Sequence, residues 1–175
     1  QGIAVAWGET GLDFERNESP PEDQKRVFAQ QLTKAVELKL PVVVHSRRAT
    51  AETTQILRAV MPRDHPIHLH CCTDGPAAAS VLIGEFSRLF VGLTGATCHP
   101  GAMADLAASP SIPLERMLLE TDAPYMGVQG KGSLSNPGIT PVNVAEEIAR
   151  LRGLSTEQVL QVTFNNTVSF YNLHV

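Results

Sequence analysis

The sequence is poor in positive charge and in long hydrophobic runs, and each shortage excludes a class of function. It has 14 Lys and Arg against 18 Asp and Glu, for a net charge of −4. That balance excludes a broadly basic protein that captures nucleic acid by charge alone, but not an enzyme that uses metal ions and a few local arginines. The apolar runs are far shorter than the ~20 residues that span a bilayer, so no membrane association is expected.

Cysteine is also scarce. Cys71, Cys72 and Cys98 are odd in number, and two of them are adjacent, which rarely allows an ordinary disulfide. No Cys-x-x-Cys pair is present for a cysteine-based zinc site. We therefore expect reduced thiols in a cytoplasmic or nuclear protein, not a secreted one.

What the chain does contain is five short apolar runs rich in branched residues, followed by helix-like patterns. Four runs are apolar almost throughout, as in strands of a parallel sheet that is buried on both faces, and the third run alternates. Strands that alternate with helices predict right-handed βαβ units, and hence an α/β fold in a single domain over residues 1–175. The predicted strands are residues 2–9, 41–45, 67–71, 89–95 and 117–122.

The predicted helices carry start signals in the sequence. Ser19 as N-cap, Pro20 in the first helical position and Glu22 in a capping box predict a helix that begins there. Ser155 with Gln158 predicts the start of a last helix, which runs to about residue 170. The other predicted helices are residues 51–60, 76–86, 101–108 and 140–152.

Ligand-type side chains end four of the five predicted strands. Because the carboxyl ends of neighbouring parallel strands meet at one edge of a sheet, we expect these side chains to lie together. Imidazole with carboxylate suits Zn²⁺, Mn²⁺ or Fe, and carboxylate-rich sites also accept Mg²⁺. Two ions about 3.5–4 Å apart in such a site would activate water and clamp a phosphoryl group. The four residues are Glu9, His45, His70 and Asp122.

The two histidines and Asp122 also have ordinary structural explanations. A single histidine at a strand end is more often hydrogen-bonded than metal-bound, and Asp122 in "TDAP" suits a turn. The combination at four strand ends favours a metal site. Alternation along a strand puts Glu120 on the face of Asp122, and it puts His68 on the face of His70, which makes His68 a further candidate ligand.

The motifs around these residues resemble those of the TatD family of metal-dependent deoxyribonucleases, which are amidohydrolase-like TIM barrels. "GETGLDF" resembles the family's Gly-Glu-x-Gly-Leu-Asp segment, and "PVVVHSRRA" resembles its strand that ends in His-x-Arg. "HCCTDG" resembles its His-Cys-Phe-Thr-Gly turn, and "LLETDAPYM" resembles its Leu-Glu-Thr-Asp-Ala-Pro-Tyr strand end. "SNPGITPVNVAEEIARLRG" and "NNTVSFYNL" follow its C-terminal pattern, so the match covers essentially all 175 residues.

The resemblance implies a TIM (β/α)8 barrel and metal-dependent hydrolysis of phosphodiester bonds in DNA, often from the 3′ end. It implies two divalent ions (Mg, Mn or Zn) bound by the four strand-end residues. Glu9 would bridge both ions, while His45 and His70 would bind the second. Asp122 would bind the first ion and act on the nucleophilic water, and Glu120 shares this catalytic assignment.

Two basic residues are candidates for contacts with the substrate. The planar fork of Arg47 matches phosphate oxygens, although a surface ion pair is an equally open explanation. Lys131 lies in a glycine-rich loop, residues 127–138, that directly follows Asp122, and it is a weaker candidate.

Two departures from the family pattern matter. Cys72 stands where the family has Phe, and an extra residue, Asp74, follows in the same turn. The family's His-x-His strand, which supplies two ligands of the first ion, is not found before Glu9. A closed barrel needs eight strands in about 250 residues. We therefore expect this chain to supply about the last five, with roughly 90 residues preceding Gln1 at ~30 residues per βαβ unit.

Other interpretations stay open at this stage. Related barrels hydrolyse other esters and amides, and the fold does not choose among these substrates. A chain without the first strands would expose a sheet edge and could self-associate. It could also be a catalytically inactive paralogue or fragment.

Overall fold

The computed structural model describes residues 4–16, 18–130 and 134–174. Within these ranges, five parallel strands stand side by side in the order in which they occur in the sequence. The predicted α/β fold and its five parallel strands are confirmed. The strands are β1 (Trp7–Asp13), β2 (Val42–Arg47), β3 (Ile67–Leu69), β4 (Leu89–Leu93) and β5 (Met117–Leu119).

Six α-helices in the described ranges connect and follow the strands, and two short 3-10 helices lie at Gly95–Cys98 and Leu114–Arg116. None of the helices described is long and apolar enough to cross a membrane. The α-helices are α1 (Pro21–Leu38), α2 (Thr50–Val60), α3 (Gly75–Glu85), α4 (Ala102–Ala108), α5 (Thr140–Arg152) and α6 (Thr156–Tyr171).

The predicted start of α1 is wrong by one residue. Pro20 is the N-cap and Pro21 is the first helical residue, because the fixed φ of the second proline suits the first turn. Among the described residues no side chain caps this end, and Glu22 pairs instead with Lys25 at 2.5 Å. The Ser19 carbonyl accepts a hydrogen bond from Gln24 Nε2 at 2.8 Å.

The capping box predicted at the start of α6 is confirmed. The amide of Gln158 donates to the hydroxyl of Ser155 at 3.1 Å, and the Ser155 amide donates to Oε1 of Gln158 at 2.9 Å. These two bonds satisfy backbone donors that the helix itself leaves without partners.

The core lies between the sheet and the helices that pack on its outer face. Val42 and Val44 on β2 are fully buried, as are Leu32 on α1 and Ile148 on α5. Burying each such side chain contributes about 1.5–3 kcal/mol. This apolar layer holds the strands in register, so their C-terminal ends meet at one edge.

The lengths of the strands differ from the prediction near the candidate site. β1 and β2 continue to Asp13 and Arg47, so Glu9 and His45 lie within strands. The β1–β2 register shifts between Trp7 and Thr10, and bulges of this kind re-aim a side chain. β3 and β5 are shorter than predicted, so the ligand-type residues of these strands lie just after them.

Candidate metal centre

Three of the predicted ligands meet at the C-terminal edge of the sheet. Glu9, His45 and His70 each offer a ligand atom, and these atoms all lie within 4.8 Å of one another. His45 Nδ1 lies 2.9 Å from Glu9 Oε1, and His70 Nε2 lies 3.6 Å from Glu9 Oε2. Glu9 therefore faces both histidines, with one oxygen toward each.

Asp122, the fourth predicted ligand, joins this group through His70. Its Oδ1 lies 3.0 Å from His70 Nε2, the nitrogen that also faces Glu9. The Asp122 side chain is 26% exposed and that of Glu9 is 45% exposed, so both carboxylates are open to a ligand or a water molecule.

Glu120 lies behind His70 and is the more buried of the two acids after β5. Its Oε2 accepts a hydrogen bond from His70 Nδ1 at 2.9 Å, and its Oε1 accepts one from the Cys71 amide at 2.5 Å. Glu120 and Asp122 both lie after the end of β5, and both contact the imidazole ring of His70. They do so from opposite ring nitrogens, so Glu120 orients the ring while Asp122 lies on its open side.

His68, the further candidate ligand, lies on the buried side of Glu120. Its Nε2 is 3.1 Å from Oε2 of Glu120, without the alignment of a hydrogen bond. Its Nδ1 forms a 2.7 Å hydrogen bond with the hydroxyl of Tyr171. His68 is therefore not one of the three residues that meet at the site, and Tyr171 is a supporting residue that the sequence motifs did not single out.

β4 passes under this cluster without a side chain at Gly92. A Cβ built there would lie 2.1 Å from Oε1 of Glu120 and 2.4 Å from Nε2 of His68. The space for the buried carboxylate therefore depends on a glycine in the neighbouring strand. β4 contributes this space and no ligand: the buried Thr94 after it caps a 3-10 helix, and His99 Nε2 donates to the Gly127 carbonyl at 2.9 Å.

The cluster strongly favours positive charge at its centre. Burial opposes a charged imidazole at His70. The hydrogen bond to Glu120, with the charges of Glu120, Glu9 and Asp122, nevertheless raises the pKa of His70 to about 9. The hydrogen bond from His45 lowers the pKa of Glu9. Carboxylates that stay ionised around an imidazole form a donor set suited to a divalent cation.

Glu120 remains ionised although it is buried. Burial raises its pKa, but the close contact with His68 and the hydrogen bond from His70 outweigh that effect, and the pKa is about 2. Cys71, next to His70, behaves in the opposite way. Burial first and the charge of Asp122 second raise the pKa of its thiol to about 12, so the thiol is neutral and a poor metal ligand.

Asp13 lies beside the other histidine, His45; the sequence motif around Glu9 contains this residue but did not indicate its role. Its Oδ2 lies 3.6 Å from His45 Nε2, and its Oδ1 accepts hydrogen bonds from the amides of Glu15 and Arg16, both at 3.0 Å. A cleft of about 280 Å³ opens here, lined by residues that include Glu9, Asp13, Arg16 and His45.

Arg47, the predicted phosphate contact, lies at the rim of the site and is paired. Its Nε lies 2.9 Å from Oε2 of Glu15, and Nε of Arg48 lies 3.6 Å from the same oxygen. Lys131, the weaker candidate, falls outside the residues that the structure describes.

The geometry of the donor set fits a divalent metal. Metal–nitrogen and metal–oxygen bonds of about 2.0–2.2 Å place neighbouring ligand atoms about 3–4 Å apart. Ligand atoms within 4.8 Å of one another need only a small approach to reach that spacing. Glu9, His45 and His70 would thus hold a divalent ion. Glu120 would orient His70 through its hydrogen bond to Nδ1, because a metal-binding histidine commonly donates its other ring nitrogen to a carboxylate.

Comparisons with known proteins agree with this geometry. A family model described as "TatD related DNase" matches residues 1–172. The chain is 36% identical to human 3′-5′ RNA nuclease TATDN2, over 97% of this chain and 23% of that protein. It is also 36% identical to the 3′-5′ ssDNA/RNA exonuclease TatD of Erwinia tasmaniensis, over 97% of this chain and 66% of that protein.

A solved structure shows the same fold. The TATD homolog YJJV from Escherichia coli superposes with a TM-score of 0.86 at 28% identity, covering 97% of this chain and 64% of that one. The chain thus spans less than two thirds of the length of these three relatives.

Proposed function

The chain belongs to the TatD family of DNases, and from this premise we propose that it is a divalent-metal-dependent hydrolase of phosphodiester bonds in DNA. The observation that carries the proposal is the setting of His70. Glu120 holds its Nδ1 at 2.9 Å, while its Nε2 faces Asp122 at 3.0 Å and Glu9 at 3.6 Å. One ring nitrogen fixed by a buried carboxylate and the other turned toward acids is the arrangement of a metal-binding histidine.

The proposed centre holds two divalent ions, Mg, Mn or Zn. Glu9, His45 and His70, whose ligand atoms lie within 4.8 Å of one another, would hold one ion, and Glu9 would also contribute to the other. Asp122 would contribute to the other ion. Bound divalent ions would supply Lewis-acid polarisation of the phosphoryl group and a lowered pKa for water.

The chain's own residues would position the reactants and move a proton. Asp122, partly exposed and next to His70, would orient the attacking water and accept its proton. Arg47, two residues after His45, would hold a phosphate oxygen through its planar fork. The names of two relatives give 3′-5′ polarity and RNA or single-stranded DNA, so we propose a single strand, shortened from its 3′ end, as the substrate.

We also propose that β1–β5 correspond to the last five strands of an eight-stranded barrel. The partial coverage of the relatives supports this assignment. In the described residues β1 and β5 are the two edges of the sheet, and each would pair with a further strand in a closed barrel. Self-association of two chains through these edges is the alternative way to cover them.

A nuclease assay with a matched pair of variants tests the proposed function. A 5′-labelled single-stranded DNA, and an RNA of the same sequence, should shorten from the 3′ end with Mg²⁺, Mn²⁺ or Zn²⁺, but not with EDTA. Asp122→Asn should lower the rate by about 10²–10⁴-fold, because it removes the proton acceptor and a charge at the centre. Asp105→Asn, an exposed acid on α4, is the control and should leave the rate unchanged.

Three outcomes would point elsewhere. Full activity of Asp122→Asn would remove this residue from the mechanism. Metal-dependent hydrolysis of small esters or amides, with none of DNA or RNA, would favour another hydrolase of the same fold. A folded chain that neither turns over substrate nor binds a divalent metal would be an inactive paralogue or fragment.

A further inference from the structure

Three arginines lie at or just after the ends of β1 and β2, the two strands that carry Glu9 and His45. Asp13 on β1 pairs with Arg47 on β2 in the sheet register, and the amide of Phe14 donates to the Arg47 carbonyl at 3.0 Å. This pairing brings the segment after β1, which contains Arg16, next to the segment after β2, which contains Arg48.

The loop that carries Arg16 is held in place by hydrogen bonds from two sides. Oδ1 of Asp13 accepts from the Arg16 amide at 3.0 Å. From α1, Gln24 accepts from the Asp13 amide at 2.9 Å and donates to the Asp13 carbonyl at 3.2 Å. In the described part of the chain no carboxylate pairs with the Arg16 side chain, which lines the cleft together with Glu9 and His45.

The other two arginines share a single carboxylate oxygen. Oε2 of Glu15 lies 2.9 Å from Nε of Arg47 and 3.6 Å from Nε of Arg48. The side chains of Glu15 and Arg47 are about two-fifths exposed, and that of Arg48 is 74% exposed. Exposed ion pairs of this kind contribute little stability, so a competing anion can replace Glu15 at small cost. A phosphate oxygen presents the same charge and acceptor geometry to an arginine fork.

We infer that Arg16, Arg47 and Arg48 form a binding site for backbone phosphates of single-stranded nucleic acid, and that Glu15 occupies this site as an internal anion when no substrate is bound. The inference rests on the proposed function for the identity of the strand. The proposed function already has Arg47 hold a phosphate oxygen, and this inference adds Arg16 and Arg48 as further phosphate contacts. It also makes Glu15 a competing anion that the substrate displaces. Arg16 lines the cleft together with Glu9 and His45, so this part of the site adjoins the candidate metal centre.

Binding measured without catalysis tests this site. A fluorescent single-stranded DNA, and an RNA of the same sequence, would be titrated with the 175-residue chain in EDTA over a series of NaCl concentrations, with fluorescence anisotropy as the readout. Arg16→Gln, Arg47→Gln and Arg48→Gln should each weaken binding several-fold. Each should also reduce the slope of log K against log salt by about 0.7, the value for one phosphate contact on a single strand.

Glu15→Gln is the decisive variant because the inference predicts a change of opposite sign. It should tighten binding several-fold and steepen the salt dependence, since Arg47 and Arg48 are then free for phosphate. Glu147→Gln is the matched control: it changes the net charge equally and also breaks an arginine pair, on α5 with Arg150 at 2.6 Å. Equal behaviour of the two Glu variants, or no measurable binding by the unmodified chain, would overturn the inference.

The outcome is separable from that of the proposed function. Hydrolysis by the unmodified chain with unaltered salt slopes in all three arginine variants would keep the nuclease and remove the site. Altered slopes in a chain without metal-dependent hydrolysis would keep the site and remove the nuclease. A preference for DNA over RNA in the same titration would identify which backbone the site accepts.

Discussion

Glu85 and Glu120 both have a pKa of about 2, at opposite ends of the parallel strands and for different reasons. Glu85 ends α3, on the side where β4 begins. Its hydrogen bonds from Arg58 and Arg63 lower its pKa. Glu120 follows β5 at the other end, where burial alone would raise its pKa and two histidines lower it. The same shift thus arises from a surface ion pair in one case and from a buried cluster in the other.

The two glutamates differ in what else their hydrogen-bond partners contact. Arg58 and Arg63 are about half exposed, and they fix Glu85 on the surface between α2 and α3. His70 uses one ring nitrogen for Glu120 and turns the other toward Glu9 and Asp122. A lowered pKa alone therefore does not identify a site in this protein. A partner that also contacts other ligand-type residues does.

Of the substitutions that test this difference, removing the charge of Glu120 should have the largest effect, on metal affinity. In Glu120→Gln, one of the two oxygens becomes an N–H donor, which would face either the Cys71 amide or His70 Nδ1. We expect the affinity for Zn²⁺ or Co²⁺ to fall by about 10–100-fold, the usual cost of losing a carboxylate behind a histidine ligand. Isothermal titration calorimetry would measure the affinity, and Glu85→Gln is the matched control.

Two results would break the comparison. If both variants bound metal as the unmodified chain does, Glu120 would be a structural acid of the same kind as Glu85. If both lost affinity equally, a general loss of stability would explain the change. A thermal melt of each variant at pH 7 separates these cases.

Filling the space beneath Glu120 should have a smaller effect. Gly92→Ala places a Cβ 2.1 Å from Oε1 of Glu120, so the carboxylate or the strand must move. We expect the free energy of unfolding to fall by about 1–3 kcal/mol, as for overpacked cores. Metal affinity should also fall, because His70 loses its fixed partner.

Gly84→Ala on α3 is the control for this substitution. A Cβ there meets nothing within 4 Å. Replacing a glycine within a helix by alanine stabilises a protein by about 0.5–1 kcal/mol. Urea unfolding should therefore give changes of opposite sign for the two variants. If Gly92→Ala were as stable as the unmodified chain and bound metal as tightly, the buried cluster would be looser than these distances indicate.

The sequence predicts those parts of the fold and site that depend on short local patterns. The apolar run of β2 identifies a buried strand, and Ser155 with Gln158 identifies a helix start, because each signal is complete within a few residues. Four ligand-type residues at strand ends could be grouped because parallel strands share one edge. The predicted start of α1 was wrong by one residue because two adjacent prolines both suit a helix N-terminus, and the sequence does not select between them.

Contacts between segments far apart in the chain could not be predicted from local sequence patterns. Tyr171 bonds His68 from 103 positions away, and no periodicity links a residue at the end of α6 to one in β3. The extension of β1 to Asp13 was missed because its polar and glycine residues do not resemble a buried strand. The role of Gly92 depends on the position of Glu120, which only the pairing of β4 with β5 establishes.

Glu85→Gln should have the smallest effect, and that effect should be present at neutral pH and disappear in acid. The folded pKa of about 2 lies below the ordinary value of 4.5, so the charge contributes stability above pH 4.5. That contribution is lost as the pH falls through 4.5 toward 2. We expect the unfolding temperature of Glu85→Gln to lie only slightly below that of the unmodified chain at pH 7, since exposed ion pairs contribute little.

The pH dependence of unfolding and the metal affinity of Glu85→Gln test whether Glu85 acts only as a surface ion pair. Between pH 4.5 and 2, the unmodified chain should lose stability more steeply than Glu85→Gln, as measured by thermal unfolding at several pH values. Metal affinity at pH 7 should be the same in both proteins, because Arg58 and Arg63 contact no residue of the candidate centre in the described part of the chain. Weaker metal binding by Glu85→Gln would show that the two ends of the strands are coupled. The distinction between Glu85 as a surface ion pair and Glu120 as part of the metal centre would then be wrong.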